Sequence, residues 1–168
     1  MTEYSSFDAL RKALDFEEEG IKYYTTARER TEHPSARSVF GMLIEQERTH
    51  VEYLSLLHER LKAQDKWPRE VTVNLEKDFK PLFRDAAGEV DDRVKITTNE
   101  LEALAFAVEM ENRGREMYDQ LSGAASDPLE KEFYDISARW EQNHAEFVES
   151  FYNYSEDMGL RTEGDSGL

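Results

Sequence analysis

Apolar residues recur along the chain at helical spacing in four long segments. In the first, about residues 6–31, they fall three, four or seven positions apart, which predicts a helix with one buried face. This face carries Phe7, Leu10, Leu14, Ile21 and Tyr24. The position that the series skips is occupied by Glu17, so a carboxylate is predicted among apolar side chains.

The second segment begins at Pro34, a residue that suits the first turn of a helix. Its buried face is formed by Ala36, Phe40, Leu43, Leu54, Leu57 and Leu61. In the middle of this face lie two polar residues, Glu47 and His50. The neighbouring histidines are expected elsewhere. His33 is predicted to lie at the surface or to cap the helix, and His58 is predicted to be solvated because it lies off the buried face.

The apolar periodicity stops between Gln64 and about Ile96. This stretch contains Trp67, Pro68, the strand-like Val71, Thr72 and Val73, then Pro81 and Gly88. A connection this long has ample reach to span a bundle, since an extended chain covers about 3.3 Å per residue. We therefore predict a crossover over residues 64–96 that leaves the second and third helices parallel, rather than a hairpin turn.

The third helix opens with a capping box, in which Thr97 is followed three residues later by Glu100. The helix is predicted to extend to about Gly123, and Glu111 lies in its apolar face. The apolar residues of that face are Leu101, Leu104, Val108, Tyr118 and Leu121.

The fourth helix opens in a similar way, with Asp127 and Pro128 followed by Glu130. Gly159 is predicted to end it. Its inward face carries Tyr134, Glu141, His144, Val148 and Phe151. Two polar residues therefore interrupt this apolar face as well.

Together these elements predict an all-α protein, a four-helix bundle forming one domain over residues 1–158 and followed by a mobile tail over residues 159–168. The 168 residues include no cysteine, which excludes disulfides, thiolate metal sites and a cysteine nucleophile. The net charge of -16 opposes binding to nucleic acid or to anionic membranes and favours cations as partners. Neither a membrane-spanning run nor a signal peptide is evident, so we expect a cytoplasmic protein.

The polar residues of the four apolar faces belong to an internal repeat with an offset of 94 residues. Its pairs are Glu17 and Glu111, Gly20 and Gly114, Tyr24 and Tyr118, Pro34 and Pro128, Glu47 and Glu141, and His50 and His144. Each half carries E-x2-G-x3-Y on one helix and E-x2-H on the next. Chance accounts for a single E-x2-H in a glutamate-rich chain, but not for the shared register of all these residues.

Glutamate and histidine three positions apart lie on the same side of a helix, so each E-x2-H offers an oxygen and a nitrogen to one point. Two such helices, with one glutamate from each of the other two, supply the ligands of a dinuclear carboxylate site. Ligands of this kind without sulfur suit two iron ions, with manganese as the alternative. The predicted ligands are Glu17, Glu47, His50, Glu111, Glu141 and His144. Glu18 and Glu19 lie off the face and are expected at the surface.

Other residues of the repeat have simpler structural interpretations. Tyr24 and Tyr118 either pack in the core with their hydroxyl groups hydrogen-bonded or relay electrons. Gly20 and Gly114 are expected to permit the close approach of helices, since glycine inside a helix is otherwise unfavourable by up to about 1 kcal/mol relative to alanine.

The motifs E-x2-G-x3-Y and E-Q-E-R-T-H, with E-N-R-G-R-E-M-Y and W-E-Q-N-H in the second half, resemble those of the rubrerythrin branch of the ferritin-like superfamily. The resemblance covers about residues 6–62 and 97–158. It implies a ferritin-like bundle in which the six predicted ligands hold iron, with Tyr24 and Tyr118 packed near the metals. Members of the family reduce hydrogen peroxide or oxidise Fe(II), and others have no assigned reaction.

The chain departs from the rubrerythrin pattern in two respects. Rubrerythrins carry a cysteine-rich rubredoxin domain, and this chain has no cysteine, so a separate electron-donor protein is expected. Rubrerythrins also have an extra carboxylate one turn after the glutamate of the third helix, where this chain has Gly114.

Three functions remain open. The leading one is a di-iron oxidoreductase whose six ligand residues support the reduction of hydrogen peroxide or dioxygen with electrons from Fe(II). The second is a ferroxidase that handles iron for a mineral or a partner. The third is a non-enzymatic bundle that a metal only stabilises. A homodimer is expected.

Overall fold

The structure is a computed structural model that describes residues 5–69 and 96–164, with the side chains near its carboxyl end described as far as residue 157. In these residues the secondary structure is entirely helical. The helices are α1 (Ser6–Arg30), α2 (Pro34–Gln64), α3 (Thr98–Ala124) and α4 (Pro128–Gly164). The predicted all-α four-helix bundle is confirmed.

The helices form two antiparallel pairs, α1 with α2 and α3 with α4, and α1 also packs against α3. Tyr24 of α1 hydrogen-bonds to Glu111 of α3, whereas Glu17, two turns earlier, hydrogen-bonds to Tyr118, two turns later. This pattern makes α1 and α3 antiparallel. Because α1 is antiparallel to both α2 and α3, the two middle helices run parallel, as predicted.

The chain between α2 and α3 joins opposite ends of the bundle, because the two helices are parallel. Most of the predicted crossover, residues 70–95, lies outside the described residues, and with it the predicted strand-like segment and turn residues. Its first part is described. Trp67 is buried against Phe133 and Tyr134, with ring centroids 5.9 and 6.0 Å away. The start of the connection therefore packs on α4.

Two apolar clusters fill the bundle, one toward each end. The first is centred on Leu10, Leu54, Leu57, Tyr118 and Tyr134, and the second on Tyr24, Phe40, Leu43, Leu104 and Val148. The polar residues of the internal repeat lie between them. The core thus isolates a small polar centre from both ends of the bundle.

The predicted burial of two residues differs from the structure where the beginning of α1 contacts α2. Phe7, expected in the core, remains 36% exposed, because it lies in the first turn at the edge of the bundle. Its ring packs on that of His58, with the centroids 4.1 Å apart. The side chain of His58 is only 14% exposed, so its predicted solvation was wrong, and the cover provided by Phe7 is the reason.

Glu100 links the start of α3 to the turn between α1 and α2. The predicted capping box is present, with Thr97 N–H donating to Glu100 Oε2 and Glu100 N–H donating to Thr97 Oγ1. The Oε1 atom of Glu100 also accepts from the N–H groups of Glu32 and His33, at 2.8 and 2.9 Å. Burial opposes ionisation of this carboxyl group, but the backbone N–H groups lower the pKa of Glu100 overall.

His33 caps α2, because its Nδ1 accepts from the N–H of Ala36 at 3.4 Å. The capping prediction for His33 is confirmed, but the residue is buried rather than at the surface. Asp127 caps α4 as predicted, by accepting from the N–H of Leu129 at 2.8 Å. Glu130 instead accepts from Ser6 Oγ at 2.6 Å, which ties the start of α4 to the start of α1.

The helix α4 continues to Gly164, past the predicted end at Gly159. A glycine inside a helix is unfavourable by only about 1 kcal/mol, and the good helix formers Leu160 and Arg161 follow it. The mobility predicted for residues 159–168 stays a prediction, and residues 165–168 lie outside the described residues. Within the described residues, no helix is sufficiently long and apolar to cross a membrane.

Replacement of Glu100 by alanine should lower the free energy of unfolding by about 1–3 kcal/mol, because buried backbone donors lose their acceptor. Glu102→Ala removes an exposed carboxylate from the same turn and serves as the control, with an expected change within about 0.5 kcal/mol. Urea unfolding followed by circular dichroism measures both variants.

The effect of Glu100→Ala should depend on pH. Since the pKa of Glu100 is lower in the folded protein, its stabilisation is present above the unfolded-state pKa near 4.5 and is lost as the pH falls below it. Equal unfolding free energies for Glu100→Ala and Glu102→Ala at neutral pH would contradict this role.

Candidate metal centre

The six predicted ligands meet at the centre of the bundle, between its two apolar clusters. The helix α1 contributes one of them, α2 two, α3 one and α4 two. The residues are Glu17, Glu47, His50, Glu111, Glu141 and His144, and each is at most 3% exposed. Glu18 and Glu19 are exposed, as predicted. The helical register selected from the sequence therefore brings the predicted side chains together.

These side chains form two overlapping groups, each with its ligand atoms within 4.8 Å of one another. The first group is Glu17, Glu47, His50 and Glu141, and the second is Glu47, Glu111, Glu141 and His144. Glu47 and Glu141 belong to both. The two oxygens of Glu47 face different histidines, with Oε2 3.1 Å from His50 Nδ1 and Oε1 3.4 Å from His144 Nδ1. This arrangement suits a carboxylate that bridges two ions.

Hydrogen bonds among the described residues leave several carboxylate oxygens of the centre unsatisfied. His50 Nδ1 lies within 3.3 Å of oxygens from Glu17, Glu47 and Glu141, yet one ring nitrogen carries at most one proton. Both oxygens of Glu47 and Oε1 of Glu141 are buried and accept no hydrogen bond from the described residues. Buried carboxylates without donors are strongly unfavourable unless a cation compensates them. The donor set of carboxylates and imidazoles therefore fits iron or manganese.

The pKa values of the centre reflect the same crowding. Burial and the nearby carboxylate of Glu47 raise the pKa of Glu17 to about 8. Burial and the charges of the other glutamates also raise the pKa of Glu141 well above its usual range. Burial alone would lower the pKa of His144, but Glu111 and Glu47 raise it to about 9. Burial also opposes ionisation of Glu47, but interactions with Glu17 and with the two histidines lower the pKa of Glu47 overall, so the carboxylates of the centre differ in their tendency to hold a proton.

Each tyrosine of the repeat hydrogen-bonds to a glutamate of the opposite helix. The hydroxyl group of Tyr24 donates to Glu111 Oε1 at 2.5 Å, and that of Tyr118 donates to Glu17 Oε1. Burial, followed by the charge of the accepting carboxylate, raises the pKa of both tyrosines well above 10. Both tyrosines therefore stay protonated and hold the carboxylates of Glu111 and Glu17 in place. This agrees with the first of the two roles predicted for them, packing in the core with hydrogen-bonded hydroxyl groups.

The two glycines of the repeat have different surroundings. A Cβ atom at Gly114 would lie 2.5 Å from Glu141 Oε2 and 3.0 Å from Phe16 Cε1. A Cβ atom at Gly20 would meet nothing closer than Tyr24 Cε2 at 3.8 Å. Close approach, predicted for both glycines, is therefore found at Gly114 alone. The space that an extra carboxylate would need there is occupied by Glu141.

Sequence reasoning missed Trp140, which lies beside the centre. Its indole ring is stacked on the His50 ring, with centroids 4.3 Å apart and planes inclined by 4°. The residue stands next to Glu141 in the W-E-Q-N-H motif, but the 94-residue offset places Gln46 at the corresponding position. The internal repeat identified the six predicted ligands, but it could not identify Trp140, because the corresponding residue is not a tryptophan.

Substitution of Gly114 by alanine should disturb the centre more than the fold. The new Cβ would displace the end of the flexible Glu141 side chain, so we expect iron affinity to fall by about tenfold or more. Gly20→Ala is the matched control, because the space there is sufficient. Anaerobic Fe(II) titration measures the affinity, and circular dichroism checks the fold. Identical iron binding by the two variants would show that Gly114 does not make room for a ligand.

The Rubrerythrin family model matches residues 8–103, more than half of the chain. The matched stretch contains Glu17, Glu47 and His50, whereas the other half of the centre lies beyond it. No curated protein and no solved structure matches the chain. The assignment of Glu111, Glu141 and His144 to the centre is therefore supported by the internal repeat and by the grouping of their side chains. With a family match over its first half and a ferritin-like bundle throughout the described residues, the chain belongs to the rubrerythrin family.

Proposed function

We propose that this protein is a di-iron oxidoreductase that reduces hydrogen peroxide or dioxygen with electrons from Fe(II). The observation that carries the proposal is the pair of overlapping ligand groups that share Glu47 and Glu141. A single ion would not use two such groups. A site built only to neutralise charge would not need two histidines turned toward the same pair of carboxylates.

In this proposal each half of the repeat holds one ion. Glu17 and His50 are ligands on one side, and Glu111 and His144 are ligands on the other. Glu47 and Glu141 serve both. When bound, two Fe(II) ions would supply the two electrons that, together with two protons, convert one hydrogen peroxide molecule to two water molecules. Manganese is the alternative metal, because it accepts the same oxygen and nitrogen ligands.

The chain supports this chemistry in two ways. Four carboxylates match the charge of two divalent ions, and carboxylates can change the number of oxygens they offer as the charge of the ions changes. The hydroxyl groups of Tyr24 and Tyr118 hold Glu111 and Glu17 from the outside, so these ligands keep their orientation. The near-complete burial of the site also excludes bulk water, which strengthens electrostatic interactions within it.

Electrons for repeated turnover must come from outside these residues. The 168 residues contain no cysteine to hold a one-electron iron centre, so we propose a separate electron-donor protein. A homodimer and a cytoplasmic location also stay predictions. Exposed apolar side chains such as Leu56 and Phe106 offer surface for a dimer contact.

A ferroxidase that handles iron is the second candidate. The net charge of -16 favours it, because an acidic surface attracts Fe(II) as a substrate. The same six ligands would serve this reaction. The two candidates differ in the preferred oxidant and in the fate of the oxidised iron.

Metal loading tests the ligand assignment. We expect wild-type protein refolded anaerobically with Fe(II) to hold two ions per chain, and Glu47→Ala or Glu141→Ala to lose the bound metal, since each residue serves both ions. His50→Ala and His144→Ala should each weaken one ion more than the other. Elemental analysis after gel filtration measures the metal content.

Glu18→Ala is the matched control for the metal-loading experiment, because this glutamate is exposed and adjoins Glu17. It should retain the metal content of the wild type. Removal of the metal should lower the unfolding temperature of the wild type and of this variant alike. Fewer than one ion per wild-type chain would refute the dinuclear assignment.

Stopped-flow mixing of the anaerobic Fe(II) protein with each oxidant tests the reaction. We expect hydrogen peroxide to oxidise the iron faster than dioxygen does, because the two electrons that the pair supplies reduce peroxide fully to water but dioxygen only to peroxide. The absorbance of Fe(III) reports the rate, and Zn(II)-loaded protein is the control. Faster oxidation by dioxygen, followed by uptake of many irons per chain, would favour the ferroxidase. Full metal content without oxidation by either would indicate a purely structural metal.

A further inference from the structure

An aromatic side chain connects one half of the centre to the surface. The indole of Trp140 lies flat on the ring of His50, 4.3 Å away between centroids. The Nδ1 atom of the same His50 ring faces the carboxylates. Trp140 itself is half-buried, so part of it reaches solvent. A single stacked contact therefore separates a predicted metal ligand from the outside of the protein.

A second aromatic residue extends this contact along the surface. Tyr53 lies on α2 three residues after His50, and its ring centroid is 6.2 Å from that of Trp140. Tyr53 is half-buried as well. Among aromatic side chains, tryptophan and tyrosine lose an electron most readily. Trp140 and Tyr53 are therefore suited to electron transfer as well as to packing.

The internal repeat does not require a tryptophan at this position. Gln46 occupies the corresponding place on α2, 94 residues earlier. The pseudo-twofold fold is therefore compatible with a polar residue there, and the indole distinguishes the His50 half of the centre.

Other aromatic routes from the centre pass through more rings. Tyr118 leads through Tyr134 to the buried Trp67, over centroid distances of 6.2 and 6.0 Å. Tyr24 leads to the half-buried Tyr23, with the ring centroids 5.5 Å apart, so this route takes two tyrosines to reach solvent. Trp140 joins a histidine of the centre to solvent in one step.

We propose that Trp140 passes electrons between the protein surface and the metal bound at His50. This inference rests on the proposed redox function. An electron leaves a one-electron donor protein, passes through the indole and His50, and reduces Fe(III) to Fe(II), so each oxidised donor balances one reduced iron. The surface around Trp140 and Tyr53 is then the place where such a donor acts.

A flash experiment tests this path without the peroxide reaction. Trp67→Phe leaves Trp140 as the single tryptophan of the chain. Photoexcited tris(bipyridine)ruthenium(II) gives an electron to a cobalt(III) chloropentaammine quencher. The Ru(III) that forms takes an electron from Trp140, whose indole loses a proton, and Fe(II) then returns an electron as the proton is regained. The transient absorbance of the tryptophan radical should decay severalfold faster in Fe(II)-loaded protein than in Zn(II)-loaded protein, because Zn(II) has no electron to give.

Trp140→Phe is the complementary variant, since it keeps an aromatic ring on His50 and retains Trp67. Any radical formed in it should decay at the same rate with Fe(II) and with Zn(II). The proposal would be overturned if the radical in Trp67→Phe decayed at the same rate with Fe(II) and with Zn(II). It would also be overturned if the decay in Trp140→Phe still depended on iron. The first comparison needs no change at Trp140, so it remains decisive even if Trp140→Phe fails to fold.

The outcomes separate this inference from the proposed function. Protein that binds Fe(II) and shows the fast radical decay, but is oxidised by neither peroxide nor dioxygen, would refute the proposed function and leave the path through Trp140 in place. Protein that is oxidised by peroxide but shows no iron-dependent decay would refute the path and retain the function.

Discussion

Four glutamate carboxylates lie together in the middle of this bundle, and their mutual repulsion is the constraint on which the rest of the structure depends. Each is nearly inaccessible to solvent, and one imidazole nitrogen faces three of them. Such a cluster is tolerable only when positive charge, from protons or metal ions, compensates it. Burial and the neighbouring carboxylates raise the pKa of Glu17, and the charges of Glu111 and Glu47 raise that of His144 despite its burial, so both groups favour their protonated forms. Apolar clusters on both sides keep water out, so the compensating charge has to lie within the site itself.

The fold delivers these charges through a repeated helix pair. Because α2 and α3 run parallel, the two pairs are related by an approximate twofold axis, and each pair presents one E-x2-H motif to the other. Glu47 and Glu141, the glutamates of the two E-x2-H motifs, consequently lie in both ligand groups, whereas Glu17 and Glu111 each lie in one. Caps outside the core maintain this register. Glu100, for example, holds the turn between α1 and α2 against the start of α3.

The approximate twofold symmetry of the two helix pairs is broken at two places next to the candidate metal centre. Each of these differences gives the two halves of the centre different surroundings. Gly114 leaves space for an oxygen of Glu141, whereas Gly20 has room to spare. Trp140 covers His50, whereas the repeat has Gln46 in the corresponding position. A symmetric ligand set thus lies in asymmetric surroundings. Under the proposed function and electron path, this difference lets one half exchange electrons with the surface while both halves hold metal.

The sequence alone predicted the helices, their buried faces and the six residues of the centre, because helical periodicity and the 94-residue repeat can be read from the order of residues without knowing how the helices pack. It also located the capping residues Thr97 and Asp127, whose partners lie within one turn. Only the tertiary structure decided the remaining features. The sharing of Glu47 and Glu141, the cover of Phe7 over His58, the contact of Gly114 with Glu141 and the stacking of Trp140 on His50 all join residues from different helices. Such contacts depend on how far apart the helices lie and how they are rotated, which no periodicity within one helix specifies.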